Sequence, residues 1–407
     1  MQASEIRHSD YSPQRRLGLF DFLCLGWNCV IGSGIFSTQG DIAAQVGSYG
    51  PAMFLVGGLC CLPIALCFSH LAQRFHGMGG SSLYAREAFG PRAGFLVGWV
   101  MWQSGLIGLA TVASLLAGFT GSSQPQLVAC GAVTLLAILN LMGSRAGSWT
   151  NNLLAVVKLV PLVLAALLGL AQIGPWQTIW PTMAPLAAPD YKLGLLLVLY
   201  TYSGFEEIVL PAGEARSPEK TVPRATVLVL MSSALFYTVL QGIVSSRGTA
   251  ALEQPLAAAL PELAAALGVA AAASYASVNA SIAFTTPRSL WSLAQQGWLP
   301  GWLLKLHRDA PTYCILISSG LTIALILSKN SQALIALSVL AALLQHLASS
   351  LACWKLGMAR WIPPLAVTTC LLLLCTSQPK DLAGMALSLL IGAILSYLVG
   401  RPGRRNI

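Results

Sequence analysis

The sequence predicts an all-α membrane protein of about twelve transmembrane helices, built as a 5+5 inverted repeat with broken helices 1 and 6, plus two further helices. Three observations predict it. Apolar residues make up 56% of the 407-residue chain and charged residues only 9%, against about 25% charged in a typical globular domain. Apolar runs of near-spanning length recur from end to end. Two of these runs, five apart, are interrupted by small residues at mid-depth, where a bilayer offers no water to satisfy freed backbone groups.

The runs read as spans at 19–46, 51–70, 93–119, 126–142, 152–172, 192–212, 225–246, 262–285, 312–328, 331–353, 361–376 and 382–400. No gap between them is long enough for a soluble domain. Residues 1–18 form a polar, basic segment; no small-residue cleavage site follows the first run, so no removable signal peptide is expected. The organisation is then a first five-helix repeat at 19–172, a second at 192–353, helices 11 and 12 at 361–400 and a short tail at 401–407. Only Lys329, Asn330 and Ser331 separate the ninth and tenth runs, which predicts a tight helical hairpin.

The net charge of +9 is compatible in principle with a nucleic-acid partner, but its placement argues against one. With the amino terminus inside, the inner segments hold 18 of the 23 basic residues, the outer segments hold 4, and Lys158 lies within a span. That asymmetry is the positive-inside rule. It places both termini in the cytoplasm of an inner or plasma membrane protein.

Ten cysteines are scattered through apolar runs without a C-x-x-C, and the five histidines are far apart. Free cysteine packs as a small hydrophobe, so neither a metal nor another cofactor is expected. An intramembrane enzyme would need a convergent constellation of acid, base or nucleophile, and no such motif is visible. A channel would need a filter repeat, also missing.

The first interruption is Gly32-Ser33-Gly34 within "CVIGSGIFSTQG", residues 29–40. The second is Ser203-Gly204 within "YTYSGFEEIVLPAGEARSPEK", residues 200–220. One such motif could be a notch for close helix contact. Two at matching positions point to a transporter of inverted repeats, in which half-helix amino ends face an anion and unwound carbonyls face a cation.

Several motifs, taken together and in order, resemble the amino acid–polyamine–organocation (APC) superfamily. "IGSGIF" is similar to its G-[ST]-G-I-F signature. "YSGFEE" and "GEARSPEKTVPRA" (213–225) resemble its sixth helix and the acidic loop that follows. "PRSLWSLAQQGWLPGWLLKLH" (287–307) resembles the loop after helix eight. The likeness runs from Arg16 to Val399. It implies a leucine-transporter-like fold, alternating access and transport of amino acids or related amines, with no enzymatic activity.

On this basis the exposed N–H groups of Gly32, Ser33, Gly34 and Ile35 are expected to hold a substrate carboxylate. The carbonyls near Cys29, Val30, Tyr202 and Ser203 are expected to meet its ammonium. The resemblance carries Ser33, Gly34, Tyr200, Ser203 and Glu206 over as cavity or gate positions, with Gly204 and Phe205 in the same motif. Glu206 and Glu207 lie about 100° apart on an intact helix, so they could not both face one cavity there. The adjacent acids keep a polyamine or other organic cation open as the alternative cargo.

Lys158, in "NNLLAVVKLVPLVL", sits about 9–10 Å into an apolar segment. It could snorkel to the interface or face a partner inside the bundle. Its position resembles a fifth-helix lysine whose ammonium replaces sodium in sodium-independent members of the superfamily. Lys158 and Glu207 are therefore the expected coupling or gating residues. Secondary candidates are Trp99, Trp102 and Gln103 in span three, which could line the cavity or anchor the interface, and Ser277, Asn279 and Ser281 in span eight, which could line it or bond between helices. His346 reads as packing. The expected function is sodium-independent, proton-linked symport or exchange of a small amino acid substrate; the sequence leaves the oligomeric state open.

Overall fold

The predicted runs are helical over most of their described length, and several helices outlast them. The structure, a computed structural model, describes residues 14–32, 34–174, 189–247, 255–328, 335–375 and 377–399. In chain order the helices are α1 (Leu19–Val30), α2 (Gly34–Val46), α3 (Gly50–Arg74), α4 (Ser81–Phe89), α5 (Pro91–Phe119), α6 (Pro125–Leu141), α7 (Ser144–Ile173) and α8 (Tyr191–Thr201). They continue with α9 (Pro218–Arg247), α10 (Pro255–Ala259), α11 (Ala264–Gln295), α12 (Thr312–Leu327), α13 (Ile335–Lys355), α14 (Ile362–Leu374) and α15 (Pro379–Leu398). Seven helical stretches are long and apolar enough to cross a membrane, and four shorter apolar helices accompany them. The described residues contain no strand, only isolated bridges.

Hydropathy marks where a helix is greasy, not where its hydrogen bonding stops. Thus α7 begins eight residues before the predicted 152, and α11 runs ten residues past 285, so that the whole of "PRSLWSLAQ" (287–295) is helical. The short α4 was not expected: it carries too few apolar residues to register as a run, and glycines with positive φ at 79, 80 and 90 fence it at both ends. The connection of the expected tight hairpin at 312–353, residues 329–334, lies outside the described residues; α12 packs on α6, α5 and α11, and α13 packs on α5, α14, α4 and α3.

The core is set by the broken elements. Helix α1 packs on α9, α7 and α11, and α2 packs on α8. Around them α3 lies against α9 and α5 against α11. The interrupted segments therefore sit inside the bundle, walled on every side by continuous helices.

Candidate substrate cavity

Helix α1 stops at Val30 and α2 starts at Gly34, so the chain leaves the helix slightly before the Gly32-Ser33-Gly34 interruption seen in the sequence. At Ile31 the backbone leaves helical geometry (φ −77°, ψ 67°), and Gly32 N–H donates back to Val30 O at 2.7 Å, the tight turn of three residues. Ser33 lies outside the described residues. Gly34 and Ile35 belong to the first turn of α2, whose N–H groups have no carbonyl within the helix to bond.

The second break is more drastic. Helix α8 ends at Thr201, Gly204 takes φ +117°, and residues 205–209 and 212–214 continue only as short 3₁₀ turns. Only glycine suits Gly204 on two counts. The left-handed backbone penalises any Cβ, and a Cβ there would lie 2.8 Å from the carbonyl carbon and oxygen of Cys29. The two breaks thus touch backbone to backbone. Tyr237 of α9 ties them together, its hydroxyl lying 2.6 Å from Val30 O and 3.2 Å from Thr201 O.

A cavity of about 380 Å³ opens between the breaks. Cys29, Val30, Gly32, Ser203, Gly204, Glu206 and Glu207 line it. Both acids reach it because the segment is not an α-helix; the 100° separation that would have kept them apart does not apply. Two expected residues do not line it. Tyr202 turns away and donates to Phe54 O at 2.7 Å. Phe205 is fully buried, stacked on the His346 ring with 5.0 Å between centroids and edge-on to Phe68. The left-handed turn at Gly204 sends these aromatics behind the wall. The side chain of Tyr200 lies outside the described residues.

Glu206 folds back on its own break. Its Oε2 accepts the Gly204 N–H at 2.8 Å and lies 3.0 Å from His346 Nε2. The sequence reading of His346 as packing is therefore corrected: it is the partner of a cavity acid, 140 residues away in the chain. Residues that sequence reasoning missed complete the lining, notably Gly105, Gly108 and Thr111 of α5, Tyr237 of α9 and Ser338 and Gln345 of α13. Small residues on a membrane helix look like ordinary packing positions, so no local signal distinguished them.

Lys158 is fully buried rather than snorkelling. Its ammonium lies 2.7 Å from Ile31 O, 3.1 Å from Trp27 O, 3.3 Å from Asn28 O and 2.9 Å from Ser277 Oγ. It thus collects the carbonyls freed at the end of α1 and ties α7 to α1 and α11. Of the secondary candidates, Ser277 joins this cluster, whereas Ser281 donates to Asn151 Oδ1 at 2.7 Å and Asn279 to Tyr275 O at 3.1 Å. Trp102 donates to Ser318 at 3.1 Å, Trp99 stacks near Phe95 and Trp102, and Gln103 bonds Ser388. These three residues of α5 pack the bundle and do not line the cavity.

The cavity continues past Thr38, Val112 and Leu115. Toward the other end of α1 the bundle is sealed. Glu214, from the acidic loop motif, meets Arg288, from the last turns of α11, at 2.6 and 3.2 Å, with both side chains buried. The guanidinium also stacks on Phe284 at 3.4 Å and reaches Ser144 Oγ at 3.1 Å. Backbone pairing adds a strap: Arg16 and Leu17 N–H donate to Glu214 O, and Arg216 N–H to Leu17 O, each at 2.9 Å.

Comparison with known proteins agrees with this architecture. A family model described as "Amino acid permease" matches residues 17–398. The chain is similar to the methylthioribose transporter of Bacillus subtilis, 26% identical over 338 residues that span 74% of this chain and 72% of the other. It is similar to the branched-chain amino acid permease BcaP of the same organism, 24% identical over 332 residues, 73% and 70% of the two chains. The serine/threonine exchanger SteT, also of B. subtilis, is 28% identical over 225 residues, 53% and 51% of the two. With a family match over nearly its whole length, a helical bundle able to span a membrane and two broken helices around a central cavity, the chain belongs to the amino acid permease family of membrane transporters.

Proposed function

We propose that the chain is a secondary active transporter that moves amino acids across the inner or plasma membrane by alternating access, without sodium and by proton-linked symport or exchange. The observation that carries this reading is the apposition of the two breaks: Gly204 against Cys29, with Tyr237 bonded to both, around one cavity. A zwitterion needs amide donors and a negative partner close together in a low-dielectric site. The first turn of α2 supplies the donors and Glu206 the partner.

Helix pairing supports the two-repeat reading. If each helix of the first half corresponds to the one five spans later, corresponding helices should meet around the repeat axis. α3 packs on α9, α5 on α11 and α6 on α12, which are the second, third and fourth such pairs. With both termini cytoplasmic, the continuation toward Leu115 leads outward and the Glu214–Arg288 seal closes the inner side, so the protein faces outward. Lys158 and Glu207 are the coupling and gating groups.

A polyamine carrier of the same fold is the second reading, favoured by the paired acids. Uptake into proteoliposomes, with competition by the twenty amino acids, by polyamines and by a thioribose sugar, separates the readings. Competition by zwitterionic amino acids is the expected outcome. Competition by polyamines alone would reject it in favour of the second.

A further inference from the structure

A second pocket lies away from the cavity, where the chain enters α1. It measures about 330 Å³, and Arg16, Arg145 and Arg216 line it together with Asp21, Trp149 and Asn152. The three arginines come from three segments: the approach to α1, the first turn of α7 and the loop after the second break. We propose that this pocket binds the phosphoryl headgroup of an anionic membrane lipid.

Charge is the first argument. Arg16 has a partner in Asp309 at 3.3 Å, but among the described residues no carboxylate lies within ion-pair distance of Arg145 or Arg216. Asp21, also in the lining, is already engaged. It accepts Gly18 N–H at 2.7 Å, Ser148 Oγ at 3.0 Å and Asn152 Nδ2 at 2.6 Å. The pocket also rests on the opening turns of the 30-residue α7, the positive end of its dipole. Guanidinium forks match phosphoryl oxygens bidentately.

The second argument is an unmet acceptor. Among the described residues Asn152 Oδ1, buried beside the pocket, has no hydrogen-bond partner. A buried carbonyl of this kind costs stability unless it accepts a bond, and the oxygens of a phosphodiester, which carry no proton, cannot supply one. A hydroxyl or ammonium on the phosphoryl group can, so the ligand chemistry is a phosphodiester bearing a donor.

The third argument selects a lipid over a soluble phosphate. Trp149 is 65% exposed, and Leu153 (46%), Val156 (46%) and Val160 (52%) follow it on α7. Steps of four, three and four residues form one helix stripe. The pocket therefore opens directly onto an apolar face that acyl chains can cover, a feature no soluble anion would use. Occupied, it would clamp the start of α1 to α7 and to the strap at Leu17.

The test uses purified, delipidated full-length protein in neutral detergent. Native mass spectrometry and thermal unfolding are followed on addition of phosphatidylglycerol, phosphatidylcholine or inorganic phosphate. Phosphatidylglycerol should be retained and should raise the melting temperature; the other two should not. Arg145→Gln with Arg216→Gln should weaken phosphatidylglycerol binding on the order of 25-fold, roughly fivefold per basic side chain. Arg360→Gln, an exposed basic position outside the pocket, should leave it unchanged. Equal effects of phosphatidylcholine, or equal losses in Arg360→Gln, would overturn the site. Stabilisation by inorganic phosphate to the same extent would overturn the lipid as its occupant.

Discussion

The carboxylate of Glu214 and the guanidinium of Arg288 meet at 2.6 and 3.2 Å with 2% and 1% of their side chains exposed. Seventy-four residues separate them, and each belongs to a motif that the sequence marks as a loop. Their meeting closes the bundle at the end of α1 opposite the cavity mouth. A buried pair of this kind is a poor source of stability, yet breaking it is costly, about 3–5 kcal/mol, because one charge is stranded.

Glu214→Gln should therefore both destabilise the protein and release the seal. The expected result is a lower melting temperature in detergent together with faster alkylation of the cavity residue Cys29 by a membrane-impermeant reagent applied from the cytoplasmic side, in a Cys375→Ser background. Unchanged alkylation of a folded variant would mean that the pair is not the barrier.

His346 should matter through Glu206 alone. His346→Ala leaves that carboxylate one donor short, and a hydrogen bond to a charged group contributes about 1.5–3 kcal/mol. Transport should show a KM raised by roughly tenfold to a hundredfold. His346→Gln, which keeps a donor, should recover most of the loss. Equal defects in the two variants would reduce His346 to the packing residue its sequence suggests.

The site was legible in sequence wherever a residue departed from what a membrane helix tolerates. Glycines in mid-span announced both breaks, and a lysine in an apolar run announced the cluster at Ile31. Contacts between distant segments were not legible. Nothing near His346 indicates Glu206, and nothing near Tyr237 indicates that its hydroxyl bridges Val30 and Thr201. Tyr202 and Phe205 misled for a geometric reason: sequence shows that a helix breaks but not the hand of the turn, and at Gly204 that hand directs them away from the cavity.

Gly204→Ala tests the contact between the breaks. A left-handed backbone costs a non-glycine residue about 1–2 kcal/mol, and the new methyl would press on the Cys29 backbone, which cannot yield as a side chain can. Uptake should fall more than about tenfold while insertion and expression persist. Normal uptake by a folded Gly204→Ala protein would show that the breaks need not touch.

Lys158 decides the question of sodium. Its ammonium lies among four oxygens, the carbonyls of Trp27, Asn28 and Ile31 and the hydroxyl of Ser277, an oxygen set that a sodium ion could otherwise take. The site cannot hold both. Two unit charges 4 Å apart repel by about 4 kcal/mol at an effective dielectric of 20, nearly a thousandfold in affinity. Transport should therefore be indifferent to replacing sodium with potassium or choline at fixed pH and voltage. Lys158→Ala should impair it by freeing the end of α1 from α7 and α11. Lys158→Arg should not restore it, since a planar fork cannot direct its donors to oxygens disposed around a single point. A saturable sodium requirement in the wild-type protein would reject this role and leave Lys158 as a structural tie between helices.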